Sequence, residues 1–210
     1  MVSIDQIAKI RQRRVGKHNI VRLKKPPIWH FPSSQEREYM RVLFSLTNDL
    51  KELIKKIIIP AIPQLISEVE SFYPSYAARK DDFQDEIKRL INTDIQKIKG
   101  KTDETIAEAE KVGARIAWYN KRQFDRITNS VFGIDIFIDQ PWLQDQLKLF
   151  AGQNAQLIRS IPTQELSQVA QTIERGLQEG SRFHSMTQEI HERFGITRRR
   201  AKLIARDQTS

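Results

Sequence analysis

The chain has 210 residues and no cysteine, so this stretch can form neither disulfides nor thiolate-based zinc or iron–sulfur sites. Hydrophobic residues make up 39% and the mean hydropathy is −0.53, values typical of long amphipathic helices rather than a compact globule. The most apolar run, residues 57–66, is too short and proline-interrupted to span a bilayer, and the N-terminus lacks a signal-peptide core.

The formal net charge of +9 is concentrated at the two ends of the sequence. Residues 1–34 hold eight bases against one acid, and residues 193–210 hold six bases against one acid. The body between them, residues 35–192, carries a net charge of −3. Uniform basicity would indicate little beyond solubility, whereas this segregation predicts two surfaces that face a polyanion.

Residues 1–34 are predicted to form an extended basic arm, because three prolines at its end lack N–H donors and restrict the residues before them. A short helix over 4–14 is compatible with the rest of the arm. Ser33 and Ser34 are predicted to cap a long helix, whose apolar residues recur every three or four positions. Pro60 and Pro63 are predicted to bend or break this helix before it resumes to about residue 73.

The middle of the chain is predicted to contain shorter helices separated by glycine and proline. Gly100 is predicted to interrupt the second helix, and Pro162 to end one helix and start the next, which Gly176 and Gly180 loosen. Residues 132–139 alternate like a strand but are too short to pair alone. The helices of this region are predicted over 81–99, over 103–131, from Pro141 to about residue 161, and from Pro162 onward.

The last segment has the spacing of a helix–turn–helix. A short helix is predicted over 186–194 and ends at Gly195, after which Thr197 is predicted to cap a strongly basic helix. The elements together predict a mostly α fold, namely an extended helical bundle with a compact C-terminal helical unit and an extended basic arm. The predicted domains are residues 1–34, 35–132 and 133–210.

Catalytic and metal-binding patterns are weak. His191 and Glu192 begin like a zincin motif, but Gly195 stands where the second histidine is required. Asp135 and Asp139 are read either as a carboxylate pair or, for Asp139, as a cap of the helix that follows. The sequence therefore predicts no enzyme, no cofactor and no metal site in this portion.

Basic residues at both ends are predicted to contact phosphates without reading sequence. The alternative is a solvated face, or one that is neutralised by acids such as Glu189 and Glu192. The predicted phosphate contacts are Arg11, Arg13, Arg14, Lys17, Arg22, Lys24, Lys25, Arg198, Arg199, Arg200, Lys202 and Arg206.

Three residues next to the arm's bases, Trp29, His30 and Phe31, are predicted to dock the arm on a partner. The alternative is a solubilising tail, against which the clustered aromatic residues argue. The apolar stripe over 46–59 is compatible with either a core or an oligomer or partner face.

Several short blocks follow one another over about the last ninety residues, and together they resemble the phage head morphogenesis, or minor head protein, family (Mu F-like and SPP1-type). The final block is the most specific, and residues 1–100 carry no motif of the family. The blocks are 123–124 (Gln-Phe), 131–133 (Val-Phe-Gly), 141–143 (Pro-Trp-Leu), Phe150 with 153–154 (Gln-Asn), 157–162 (Leu-Ile-Arg-Ser-Ile-Pro), the glycines at 176 and 180, 193–197 (Arg-Phe-Gly-Ile-Thr) and 200–210.

The resemblance implies a structural protein present in few copies in the capsid, at the portal vertex of the virion, and in the host cytoplasm during assembly. It implies a role in head assembly and in DNA packaging or delivery. The implied partners are the phage portal protein, the major capsid protein or scaffold, packaged double-stranded DNA and a further copy of the chain. It also implies a continuation after Ser210, where the family often has cysteine and histidine residues of the kind that bind metal.

Three other interpretations stay open at this point. A DNA-binding regulator outside the virion would show sequence preference and dimeric half-sites. A membrane-peripheral helical protein would place the arm on anionic lipid. The chain could also be the targeting module of a longer enzyme.

Overall fold

A computed structural model describes residues 26–72, 76–132 and 141–209. Within these ranges the chain is helical from Ser33 onward apart from one short turn and contains no strand, which confirms the mostly α fold. Most of the strand-like segment 132–139 lies outside the described residues. The elements are α1 (Ser33–Leu53), a π turn (Ile54–Ile58), α2 (Ile59–Phe72), α3 (Tyr76–Phe132), α4 (Pro141–Gln178) and α5 (Phe183–Thr209).

Four helices, α1, α3, α4 and α5, form an antiparallel bundle. Each packs against two neighbours, so that α3 lies diagonally across the bundle from α5. Side-chain contacts fix the directions, for instance those from Glu38 to Arg115, from Asp103 to Arg159 and from Phe44 to Arg198. Helices from the predicted ranges 35–132 and 133–210 thus share one core, while the domain boundaries themselves remain predictions.

The buried stripe of α1 continues through the π turn into α2. From Leu46 its members are spaced by four residues, more than the 3.6 residues of an α-helical turn, so in a regular α-helix the stripe would rotate away from the core. The wider π turn absorbs this excess, and the N–H of Ile59 reaches the carbonyl of Ile54. The buried residues of the stripe are Tyr39, Leu43, Leu46, Leu50, Ile54, Ile58 and Ile62.

The interruptions predicted at Gly100, Pro162 and Gly195 are wrong. At Pro60 and Pro63, where a bend or a break was predicted, the chain does not break: a π turn over Ile54–Ile58 is followed by a continuous helix. Gly100, Pro162 and Gly195 lie inside α3, α4 and α5. A helical glycine costs about 1 kcal/mol and a proline about 3 kcal/mol, less than the burial of the apolar stripes that cross these positions provides.

Two predicted helix caps are also wrong. Ser33 and Ser34 lie inside α1, whose first turn is closed by the Pro32 carbonyl accepting from the N–H of Glu36 at 3.0 Å. Thr197 lies in the middle of α5 and donates its hydroxyl to the Glu165 carboxylate at 2.5 Å.

The turn between α4 and α5 is a Schellman motif. Gly180 has φ of 66°, and its N–H donates to the Leu177 carbonyl at 3.3 Å. The N–H of Ser181 donates to the Gly176 carbonyl at 2.7 Å. Gly180 therefore ends α4, and this tight turn brings α5 back along α4.

Candidate polyanion-binding surface

A groove with a volume of about 430 Å³ runs between α1 and α5. Two apolar side chains of α1 line one side, and three bases of α5 line the other. None of the six lining residues is acidic, so the walls present positive charge without negative charge. We call this feature the α1–α5 groove, and its residues are Met40, Phe44, Gly195, Arg198, Arg199 and Lys202.

Helical spacing places three bases of α5 in one exposed stripe. Arg198, Lys202 and Arg206 follow one another at intervals of four residues, which corresponds to about 6 Å along the helix axis. The Arg198 guanidinium lies 4.5 Å from the centre of the Phe44 ring, a cation–π contact that holds the charge beside the groove. Because α5 continues through Gly195, these bases lie in its second half, where the helix dipole favours cations at the last turn.

Glu189, one of the acids that could neutralise these bases, is engaged on the other side of α5. Its carboxylate accepts hydrogen bonds from Arg175 of α4 at 2.5 and 2.6 Å and from Thr172 at 3.2 Å. The hydrogen bond from Arg175 lowers the pKa of the Glu189 carboxyl. Among the described residues, no carboxylate lies within ion-pair distance of Arg199 or Lys202.

The other two predicted phosphate contacts of α5 are placed differently. Arg200 is half-buried and faces α4, where its Nη2 donates to Ser160 Oγ at 2.9 Å. Arg206 is exposed, and its Nε lies 3.7 Å from a carboxylate oxygen of Asp207. Only three of the five predicted bases therefore line the α1–α5 groove.

The end of the arm is fixed to α3 through the backbone of His30. The Gln123 side chain accepts from the His30 N–H and donates to the His30 carbonyl, both at 2.7 Å. Gln123 is 6% exposed, whereas the flanking Trp29 and Phe31 are 47% and 44% exposed. The seven predicted phosphate contacts of the arm lie in residues 1–25, outside the described residues.

Sequence reasoning did not find Gln123 or Phe44 as partners of the predicted functional residues. Gln123 is far from the arm in sequence, and Phe44 is far from α5. Neither residue type carries a signal of such a contact. The apolar periodicity of α1 does predict that Phe44 lies near its buried stripe, but the identity of the neighbouring helix depends on the fold.

The described part of the chain contains no cluster of histidine and carboxylate side chains that could hold a metal ion. His191 is exposed and packs edge-on against Phe194, with ring centres 5.6 Å apart. Across residues 26–72, 76–132 and 141–209, no group of three His, Asp or Glu side chains is placed to hold a metal ion. The predicted pair Asp135 and Asp139 lies outside the described residues.

Comparisons with known proteins give no match. No family model, no curated protein and no solved structure is similar to this chain. Among the described helices, none combines the length and apolarity that crossing a bilayer requires. The fold and the charge distribution are therefore the physical basis for any statement of function.

Proposed function

We propose that the chain is a phage minor head protein, a structural component that associates with the portal and with packaged DNA. Its place is the portal vertex of the virion, where it acts in head assembly and in DNA packaging or delivery, without catalysing a reaction. The major capsid protein or scaffold would be its further partner. The ordered blocks between residues 123 and 210 support the head-protein part of this proposal.

The α1–α5 groove supports the DNA-binding part of the proposal. Its three bases stand on a rigid helix, and two of them, Arg199 and Lys202, meet no carboxylate among the described residues. Cations that are free of internal partners bind phosphates at little cost and release the counterions condensed on DNA. On the apolar side, the Phe44 ring positions Arg198 at the edge of the groove.

Binding without sequence preference fits this surface better than a regulator does. A helix–turn–helix reader needs a second helix set at an angle to the first. In this chain the two predicted helices form the single helix α5, with Gly195 inside it. Within the described residues, α5 therefore lacks the angled second helix that the regulator interpretation assumed.

The DNA part is tested by titrating random-sequence duplexes at several salt concentrations. The Arg198→Gln/Lys202→Gln variant should reduce the slope of log K against log salt by about 1.8, because each lost phosphate contact contributes roughly 0.9. Two unrelated duplexes should bind with the same affinity. The matched control is Lys99→Gln/Lys111→Gln, which removes two exposed charges from α3, diagonally across the bundle. If both variants lose the same amount of slope, the binding depends on the total positive charge of the chain, and the assignment of DNA binding to the α1–α5 groove is refuted.

The head-protein part is tested by co-expressing the chain with the portal protein of the same phage. We expect the chain to copurify with the assembled portal after nuclease treatment. If it copurifies only while DNA is present, the chain is a DNA-binding protein and its assignment to the portal is wrong.

A further inference from the structure

A second groove, with a volume of about 450 Å³, lies on the opposite flank of α5, against α4. Unlike the α1–α5 groove, it has a carboxylate at its floor; apolar side chains line both grooves. We call it the α4–α5 groove. The residues that matter here are Ile161 and Glu165 of α4 and Arg193, Ile196, Thr197 and Arg200 of α5.

The floor of the α4–α5 groove contains a charged cluster whose hydrogen bonds are incomplete. Glu165 is 4% exposed, and its Oε2 accepts from Thr197 at 2.5 Å. Arg193 Nη2 lies 3.9 Å from the same oxygen, beyond hydrogen-bond length. Within the described chain, Glu165 Oε1 and Arg193 Nε are shielded from solvent and have no hydrogen-bond partner. Buried polar atoms are rarely left this way, and Glu165 therefore neutralises the Arg193 guanidinium only in part.

The rim of the groove is apolar and basic at once. Ile196 lines the groove, and Leu203, two helical turns further along the same face of α5, extends this apolar surface beyond it; each is 50% exposed. Arg193 and Arg200 follow the same two-turn spacing on the side nearer α4. A ligand that fits this rim must therefore bring apolar surface and negative charge at a matching interval.

We propose that the α4–α5 groove docks an acidic amphipathic helix of a partner protein. Its carboxylates pair with Arg193 and Arg200, and its apolar side chains cover Ile196 and Leu203. The charge of the two arginines exceeds that of Glu165, so the groove is complementary to an acidic segment. A duplex would bring phosphates towards the Glu165 carboxylate and would leave the two apolar side chains uncovered. The proposal goes beyond the DNA surface, because it uses the other flank of α5.

The probe is a fluorescein-labelled peptide of about five helical turns, in which glutamate and leucine recur at helical spacing. Its control carries lysine in place of glutamate. Fluorescence anisotropy should give saturable binding of the acidic peptide to the full chain and none of the lysine peptide. Arg200→Gln and the exposed pair Ile196→Ser/Leu203→Ser should each weaken binding about tenfold, as expected for a central interface residue.

One control variant separates this surface from the α1–α5 groove. Arg198→Gln/Lys202→Gln should change the affinity for the peptide less than about twofold, because both residues line the α1–α5 groove and neither lines the α4–α5 groove. Circular dichroism verifies that each variant folds, and the substituted side chains at 196 and 203 are exposed enough for the fold to survive their loss.

Three results would overturn the proposal: no binding of the acidic peptide, equal binding of the lysine peptide, or an equal loss with Arg198→Gln/Lys202→Gln. Competition by a random duplex against the peptide on that same variant would assign the groove to nucleic acid and overturn it too. If the wild-type chain binds the acidic peptide but no duplex, the DNA part of the proposed function is refuted and this proposal is not.

Discussion

The hydrogen bond between Tyr39 and Asn154 links two helices that lie diagonally across the bundle, α1 and α4. The Tyr39 hydroxyl donates to Asn154 Oδ1, and the two residues are 0% and 2% exposed. Tyr39→Phe removes one oxygen and creates no sizeable cavity. It leaves a buried carbonyl without its donor, which costs about 1–3 kcal/mol. We therefore expect the free energy of unfolding to fall by that amount.

The measurement is urea unfolding followed by circular dichroism, with the dependence on urea unchanged between variants. Replacing both partners, in Tyr39→Phe/Asn154→Leu, should recover part of the loss, because no polar atom is then left unpaired. Tyr119→Phe is the matched control, since it removes the same atom from a half-buried tyrosine of α3. The reasoning is refuted if Tyr39→Phe is as neutral as the control, or if the effects of the two single substitutions simply add.

The same tyrosine predicts a pH effect: burial raises the pKa of Tyr39 from 10.0 to about 12, so between these values the unfolded chain loses a proton that the folded chain keeps. Relative to Tyr39→Phe, the wild type should lose about 2–3 kcal/mol of stability as pH rises through this window, measured by urea unfolding at each pH. Gln123→Leu should remove both hydrogen bonds to His30 and raise amide hydrogen exchange at that backbone, without changing exchange in the middle of the bundle. Gly176→Ala should destabilise the fold by about 1–3 kcal/mol, because a Cβ there would lie 2.3 Å from the sulfur of a buried methionine. Gly195→Ala, with nothing within 4 Å of the added Cβ, should instead stabilise α5 by up to about 1 kcal/mol. Thermal unfolding measures both changes, and a stabilising Gly176→Ala or a destabilising Gly195→Ala would contradict the corresponding prediction.

The apolar stripes of the helices were predictable from the sequence, whereas their interruptions were not. On α1 the spacing of the apolar residues from Tyr39 to Ile58 predicts both the helix and the face that is buried. Gly100 and Pro162 read as stops because local propensity opposes helix there. Their local cost is outweighed by burial on either side, and that burial depends on neighbouring helices that no local window contains.

For the candidate site, too, the sequence predicted some features and the fold determines the others. The bases of α5 were predicted as a group from their charge alone. That Arg198 and Lys202 share a groove while Arg200 turns to Ser160 follows from the angular position of each residue relative to α1 and α4. The cluster around Glu165 was missed, since a lone glutamate in an amphipathic helix carries no signal of a partner 32 residues away.

The antiparallel pairing of α1 and α5 has a consequence for the proposed binding of DNA. The first residues of α1 and the last turn of α5 lie at one pole of the bundle, and Gln123 fastens His30 at that same pole. The basic segment 1–25 therefore joins the described chain close to the last turn of α5, although the two segments are remote in sequence. If α5 binds DNA as proposed, contact between that segment and the same duplex would be intramolecular and favoured by a high effective concentration.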